Sequence, residues 1–264
     1  VTGTRPSSSI GITVSPINAG NVVNRGFEFD AGWQDSIGDF RYGIRANAST
    51  LHNEVTYIDP SLQAITGATF HVYGAVTRFE KGYPAWHFYG YEFDKIDPET
   101  GNPIFKDLDN NGELNETDKT DLGSGIPRFN YGLTLTAGWK NFDLIVFGSG
   151  AAQTKIFALL DRPDYPTNKL RYYTDDRWTP ENTNGSKPRA GANNYAQYLM
   201  SSASVLDGSF FKIKQIQLGY TLPESLMSKI KISSLRIYAS LDDFFTFTKY
   251  PGLDPEITNT GSSA

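Results

Sequence analysis

The stretch from Asp107 to Asp118 (DLDNNGELNETD) carries the densest set of hard oxygen ligands in the chain. Its spacing is that of a calcium loop. Side-chain oxygens stand at positions 1, 3 and 5 (Asp107, Asp109, Asn111), and a glycine at position 6 (Gly112) allows the sharp turn. Glu113 at position 7 offers a backbone carbonyl, Asn115 at position 9 a ligand through water, and Asp118 at position 12 a closing carboxylate. Ca2+ takes six to eight hard oxygens. The loop therefore predicts a bound Ca2+ held by Asp107, Asp109, Asn111, Glu113 and Asp118, against the alternative of a solvated acidic turn. Position 12 is Asp rather than a bidentate Glu and neither flank is an amphipathic helix, so this is not an EF-hand.

A second candidate is the aromatic run Gly82–Phe93 (GYPAWHFYGYEF), in which Trp86, Phe88 and Tyr89 could stack on a sugar or another flat ligand. The alternative is that these rings pack a large loop against its neighbours. Catalytic patterns are poor. His52, His71 and His87 lack metal-ligand spacing, and Gly148-Ser149-Gly150 is not a nucleophile elbow. The carboxylate pairs Asp175-Asp176 and Asp242-Asp243 are adjacent, and neighbours on a strand point to opposite faces, so a converging pair at 242–243 is not expected. The chain reads as a non-enzyme.

The elements that must position these residues are strands. Tyr131, Leu133, Leu135, Ala137 and Trp139 alternate with Gly132, Thr134, Thr136, Gly138 and Lys140, a period of two with one apolar and one small, polar face. A tight turn at Lys140-Asn141 leads to a return arm from Phe142, in which Ile145 and Phe147 fall on the polar side. Phe27, Phe29, Ala31 and Trp33 alternate with Glu28, Asp30, Gly32 and Gln34. After a short connection, Phe40, Tyr42, Ile44, Ala46 and Ala48 alternate with Arg41, Gly43, Arg45 and Asn47. Phe70, Val72, Gly74 and Val76 suggest a further strand. SFFKIKQIQLGY (209–220) is a strand with a fault in its alternation that suggests a bulge. Residues 221–230 open a helical turn, and 234–245 form a last strand. Residues 51–69 read as a longer loop, and 151–205 as about 55 residues without periodicity, too long for a compact soluble domain. Short and long connections thus alternate, as in a membrane barrel with turns on one side and loops on the other.

Composition agrees. A net charge of −5 without a basic block argues against nucleic acid. The absence of Cys removes disulfide and thiolate-metal readings. There is no run of about 18 apolar residues, hence no transmembrane helix, but barrel strands carry a far weaker hydropathy signal. Trp33, Trp139 and Phe142 lie at strand ends, where aromatic rings straddle a membrane interface. The N-terminus lacks a signal-peptide pattern and the C-terminus is a polar loop, so the chain is expected to be a piece of something longer.

Six segments in register carry a family resemblance: NAGNVVNRGFEF (18–29), GYPAWHFYGYEFD (82–94), DLDNNGELNETD (107–118), IPRFNYGLTLTAGWKNFDLIVFGSG (126–150), VLDGSFFKIKQIQLGYTLPESL (205–226) and LRIYASLDDFFTFTKYPGLDPE (235–256). In this order they resemble the C-terminal part of the SusC/RagA-type TonB-dependent outer-membrane transporters. The resemblance implies an all-β, antiparallel transmembrane barrel of about 22 strands with long extracellular loops. Residues 1–264 would supply about seven of its strands, as part of the C-terminal barrel domain. The plug domain, the TonB box, the leading strands and the strand after Glu256 would lie outside the chain. It further implies import of glycan or peptide oligomers across the outer membrane of a Gram-negative bacterium. A SusD-like surface lipoprotein would be the partner, with the TonB complex engaged through the absent N-terminal part and outer-membrane lipid around the wall. Glu28, Asp30, Arg41 and Arg45 would line the lumen, and the acidic loop would order an extracellular loop. Asp243 departs from the pattern, standing where the family more often has Asn. The rivals are a soluble, calcium-stabilised β-sandwich that binds carbohydrate and a secreted glycoside hydrolase domain.

Overall fold

The computed structural model describes residues 2–3, 16–69, 74–160 and 168–256. The chain divides into two units: Gly26–Leu51, Pro127–Thr154 and Asp207–Ala264 form one, and Val1–Arg25, His52–Ile126 and Lys155–Leu206 the other.

The first unit is built on one six-stranded antiparallel sheet: β1 (Glu28–Ile37), β2 (Phe40–Thr50), β3 (Phe129–Trp139), β4 (Phe142–Ala152), β5 (Phe210–Thr221) and β6 (Arg236–Thr248). Spatial order equals chain order, so the sheet is a meander. Its tight turns at 38–39 and 140–141 take positive φ at Gly38 (61°) and Lys140 (52°). The third short connection holds a helical turn, Glu224–Met227, continued by Ser228–Ile230.

Register sorts the side chains into two faces. On one, Trp33, Ile44, Leu135, Val146, Ile216 and Leu241 stand side by side across all six strands. At the turn end the same face carries Ile37, Phe40, Trp139, Phe142, Tyr220 and Ile237. Eight residues along β3 it carries Phe29, Tyr131, Phe211 and Phe247. Eight residues at a rise of ~3.3 Å span ~26 Å along the strand, or roughly 20 Å perpendicular to a layer crossed at a tilt of ~40°. This face is not covered: Trp33 is 62% exposed, Leu218 52% and Ile237 61%. The opposite face is polar and low over β1–β3, where Gly32, Gly43, Gly132 and Gly138 alternate with Thr134, Thr136, Arg45 and Asp30. Arg45 pairs with Asp30 at 3.1 Å there.

Ile145 and Phe147 stand opposite Thr136 and Thr134 in an unbroken β3–β4 ladder, so both belong to the polar face. The fault in 209–220 is a bulge: against β4 the register shifts between Ile213 and Gln215, leaving Lys214 as the extra residue, while β6 sets Asp243 and Phe244 against it. Across from it, Asp243 adopts φ 49°, a left-handed conformation that Asn and Asp tolerate better than other side chains. The Asp also places a carboxylate 3.6 Å from Lys214 Nζ.

The strand foreseen at 70–76 falls partly on residues outside those described. Phe70 and Val72 lie outside the described residues, and the chain turns at Gly74 (φ 101°). Ala75 then bridges back to Thr69 before a short strand at Thr77–Phe79. Among the described residues the sheet has six strands. Residues 51–69 are not all loop: His52–Ile58 pairs antiparallel with Gly20–Arg25. Its alternation is hidden because only Val55 is buried, among polar neighbours.

The second unit holds a four-stranded sheet ordered Lys119–Gly123, His87–Tyr91, Thr77–Phe79 and Ile65–Thr66, and a hairpin of Phe93–Ile96 with Pro103–Phe105. Tyr173, Tyr198 and Leu199 form a buried cluster against which Phe93 and Phe105 pack. The 55 residues without periodicity thus contribute core through isolated aromatics on short helical turns, Arg171–Thr174 and Tyr195–Leu199.

Candidate functional site

The acidic loop is held by its own backbone. Glu116–Asp118 is a single 3-10 turn capped by Asn115, whose Oδ1 accepts the Thr117 N–H (2.8 Å) while the Asn115 N–H donates to Asp118 Oδ2 (2.9 Å), a capping box. The Leu108 N–H donates to the other Asp118 oxygen at 2.8 Å. Asp118 is fully buried, and the Asn115 N–H, against the desolvation, holds its carboxyl below the usual value of 3.8. Asp107 accepts the Asn111 and Gly112 N–H groups at 3.2 and 2.8 Å, and Gly112 turns at φ 83°. The Asp109 carboxylate takes the Asn111 N–H (3.1 Å), the Asn111 side-chain amide (2.8 Å) and the Thr117 hydroxyl.

The result brings Asp107, Asp109 and Asp118 together, with one oxygen of each within 4.8 Å of the others. Asn111 turns its Oδ1 to the Glu113 N–H (2.7 Å), and Asn115 Nδ2 donates to the Glu113 carbonyl (3.2 Å). The Glu113 residue is exposed. The convergent donors are therefore three carboxylates, all hard oxygens suited to a divalent cation of the calcium type. Lys119, the cation next in sequence, pairs with Glu116 instead.

The three aromatic candidates do not share one face. Trp86 is half exposed at φ 56° and tilts against Phe79 at 5.4 Å. Phe88 and Tyr89 are successive strand residues and point oppositely. Phe88 lies near Phe157 (6.2 Å), and Tyr89 lies under the Arg78 guanidinium (4.4 Å). The second ring that the loop exposes is Tyr83, stacked on buried His87 at 4.7 Å. His52 pairs with Glu54, Asp175 with Arg171, and Asp176 accepts from the Ser186 N–H; His71 lies outside the described residues.

One charged cluster escaped sequence reading. Lys212, on the polar face of β5 and only 4% exposed in its side chain, binds Asp254 (2.6 Å) and Glu256 (3.0 Å). Glu256 also takes Lys214. The Lys214 ammonium, first among several causes, holds the Glu256 carboxyl below its usual value. The segment after β6 is thereby pinned over the polar face. The sequence signal was KIK on a strand with DPE about forty residues on, visible only once β5 and β6 are known to pair.

No family model matches the chain. It is 29% identical over 266 residues to TonB-dependent receptor P3 of Formosa agariphila, covering 93% of this chain and 26% of that protein. It is 27% identical over 254 residues to TonB-dependent receptor SusC of Bacteroides thetaiotaomicron, covering 91% of this chain and 24% of that one. Among solved structures, the RagAB peptide transporter superposes with a TM-score of 0.77 at 23% identity, over 95% of this chain and 28% of the other. The chain spans about a quarter of the length of the curated relatives it matches. Over nine-tenths of its length the chain is thus similar in sequence to TonB-dependent receptors, SusC among them, and its six-stranded meander shares the fold of the RagAB structure.

Proposed function

We propose that the chain is a section of the wall and loops of an outer-membrane barrel that imports oligomeric nutrients, glycan or peptide, by TonB-dependent transport. The observation that carries this is the sheet's uncovered apolar face, bounded at both ends by aromatic rows ~20 Å apart, with a polar face behind it. Strands of ten to thirteen residues suit a tilted crossing. In this reading the apolar face meets lipid, the face with Asp30, Arg41 and Arg45 meets the lumen, and Trp139 and Phe142 mark the periplasmic interface. The long loops would face outside, where a SusD-like lipoprotein would cover them. Parts of the protein outside this chain would reach TonB. Asp107, Asp109 and Asp118 would hold Ca2+ and order their loop. A soluble sandwich would need a second sheet over Trp33, Leu135 and Ile237, and these residues are open.

The test is genetic and biochemical. The full-length protein should fractionate with the outer membrane and co-purify with a surface lipoprotein. Its deletion should abolish growth on one class of oligomer, in a manner copied by loss of TonB. Recovery in the soluble fraction, or growth unchanged on every glycan and peptide mixture tried, would overturn the reading.

A further inference from the structure

The loop 82–86 is seated by a small number of bonds. The Gly82 N–H donates to the Val55 carbonyl (2.9 Å) and the Val55 N–H to the Tyr83 carbonyl (2.9 Å). The Ala85 N–H donates to Asn53 Oδ1 (2.7 Å) and the His87 N–H to the Pro84 carbonyl (3.2 Å). Behind the loop lies the imidazole of His87, 1% exposed, stacked on Tyr83 and edge-on to Tyr89 at 6.2 Å. Nδ1 is 3.4 Å from the Pro84 carbonyl, which assigns the proton to Nδ1 and leaves Nε2 as the bare nitrogen. Nε2 is buried and has no hydrogen-bond partner among the described residues. A neutral ring fits this slot, whereas a second proton would place a charged N–H against rings with no acceptor.

We propose that His87 is an acid-sensitive latch: neutral, it seats the loop that exposes Tyr83 and Trp86, and protonation at Nε2 releases that loop. The charged groups around it do not offset the burial. Asp121, from the adjoining strand Lys119–Gly123, and Glu80 favour the imidazolium and Arg78 opposes it. Arg78 and Glu80 are paired with each other at 3.2 Å, and Asp121 accepts the Gly123 N–H. Desolvation, the largest cause, holds the histidine below its usual 6.5. The released loop therefore binds more protons than the seated one, and seating is fully favoured above that value and weakens as pH falls through it. Trp86 adds to the instability, because a bulky residue at φ 56° is strained and opening relieves it. The device depends on no assumption about what is imported.

Hydrogen exchange of the full-length protein in detergent, corrected for intrinsic rates, tests this at about pH 7.5 and about pH 5.5, on either side of an unperturbed histidine. Protection of the amides of Gly82, Tyr83, Ala85 and His87 should fall severalfold at the lower pH, because the released loop takes up a proton that the seated one excludes. Peptides from β5 should not change. His87→Phe keeps a ring between Tyr83 and Tyr89 and should make protection independent of pH, while His52→Gln should leave the dependence intact. Equal protection of the wild type at both pH values would overturn the latch, whether or not the variants fold. So would an undiminished pH dependence in His87→Phe, or its loss in His52→Gln.

Discussion

Leu135 offers a direct measurement of which solvent the apolar face meets. It lies on β3 between Ile44 and Val146, four residues from Trp139. Four residues are ~13 Å along the strand and, at a tilt of ~40°, ~10 Å below the aromatic row, close to the middle of an apolar band ~25 Å tall. Arginine there should cost about 2–4 kcal/mol, falling to about 0–1 kcal/mol near the interface. Thr134→Arg is one residue away on the polar face, between Arg45 and Phe147, and should change stability by less than ~1 kcal/mol, since an exposed like-charge contact is weak. Ala137→Arg, nearer the aromatic row, should fall between the two. The assay is reversible urea unfolding of the full-length protein in phospholipid vesicles. A gradient Leu135 > Ala137 > Thr134 is the signature of depth in a bilayer. Equal costs at Leu135 and Thr134, or a greater cost at Thr134, would refute the assignment of faces.

Calcium should bind the full-length protein in calorimetry and lose at least about tenfold in affinity on Asp109→Ala, since charge count sets affinity in such sites. Asp118 is held below 3.8, so its hold on the Leu108 and Asn115 N–H groups persists above that value and is lost as pH falls through it, which proteolysis of the loop in acid should show. Any Cβ on Gly219 would land on the Arg236 guanidinium and the Asp143 carboxylate, which meet across it with Nε to Oδ1 at 3.0 Å; both are flexible, partly exposed side-chain ends that can move aside, so Gly219→Ala should cost no more than the ion pair, about 0.2–1 kcal/mol in unfolding experiments, and less in an Arg236→Ala background. Replacing both Asp254 and Glu256 by their amides strands a buried ammonium and should cost about 3–5 kcal/mol, whereas Lys212→Met, which leaves carboxylates about a third exposed, should cost less in the same assay.

The parts of this protein legible in its sequence are those where one residue answers to one constraint. On β1–β3 each side chain meets either an apolar or a polar surface, so a period of two survives, and the turn at Lys140-Asn141 can be placed to the residue. Lys214 breaks that period on β5, and the break itself announces the bulge. Ile145 and Phe147 also break it, but without a register shift: the polar face has an apolar patch that no local rule foretells. In the second unit one residue answers to several distant partners. Val55 is the sole buried side chain of its strand, and Tyr173 and Tyr198 reach one another from turns 25 residues apart, so neither leaves a periodic trace. The acidic loop shows the same division. Its spacing foretells that Asp107, Asp109 and Asp118 approach one another, because turn geometry is local. It could not show that Asn111 and Asn115 spend their amides on bracing the loop, because that choice is made by N–H groups whose direction depends on the folded turn. The carboxylates brace the loop as well, through the Leu108, Asn111, Gly112 and Asn115 N–H groups, so the same backbone that holds the turn also draws their oxygens to one point.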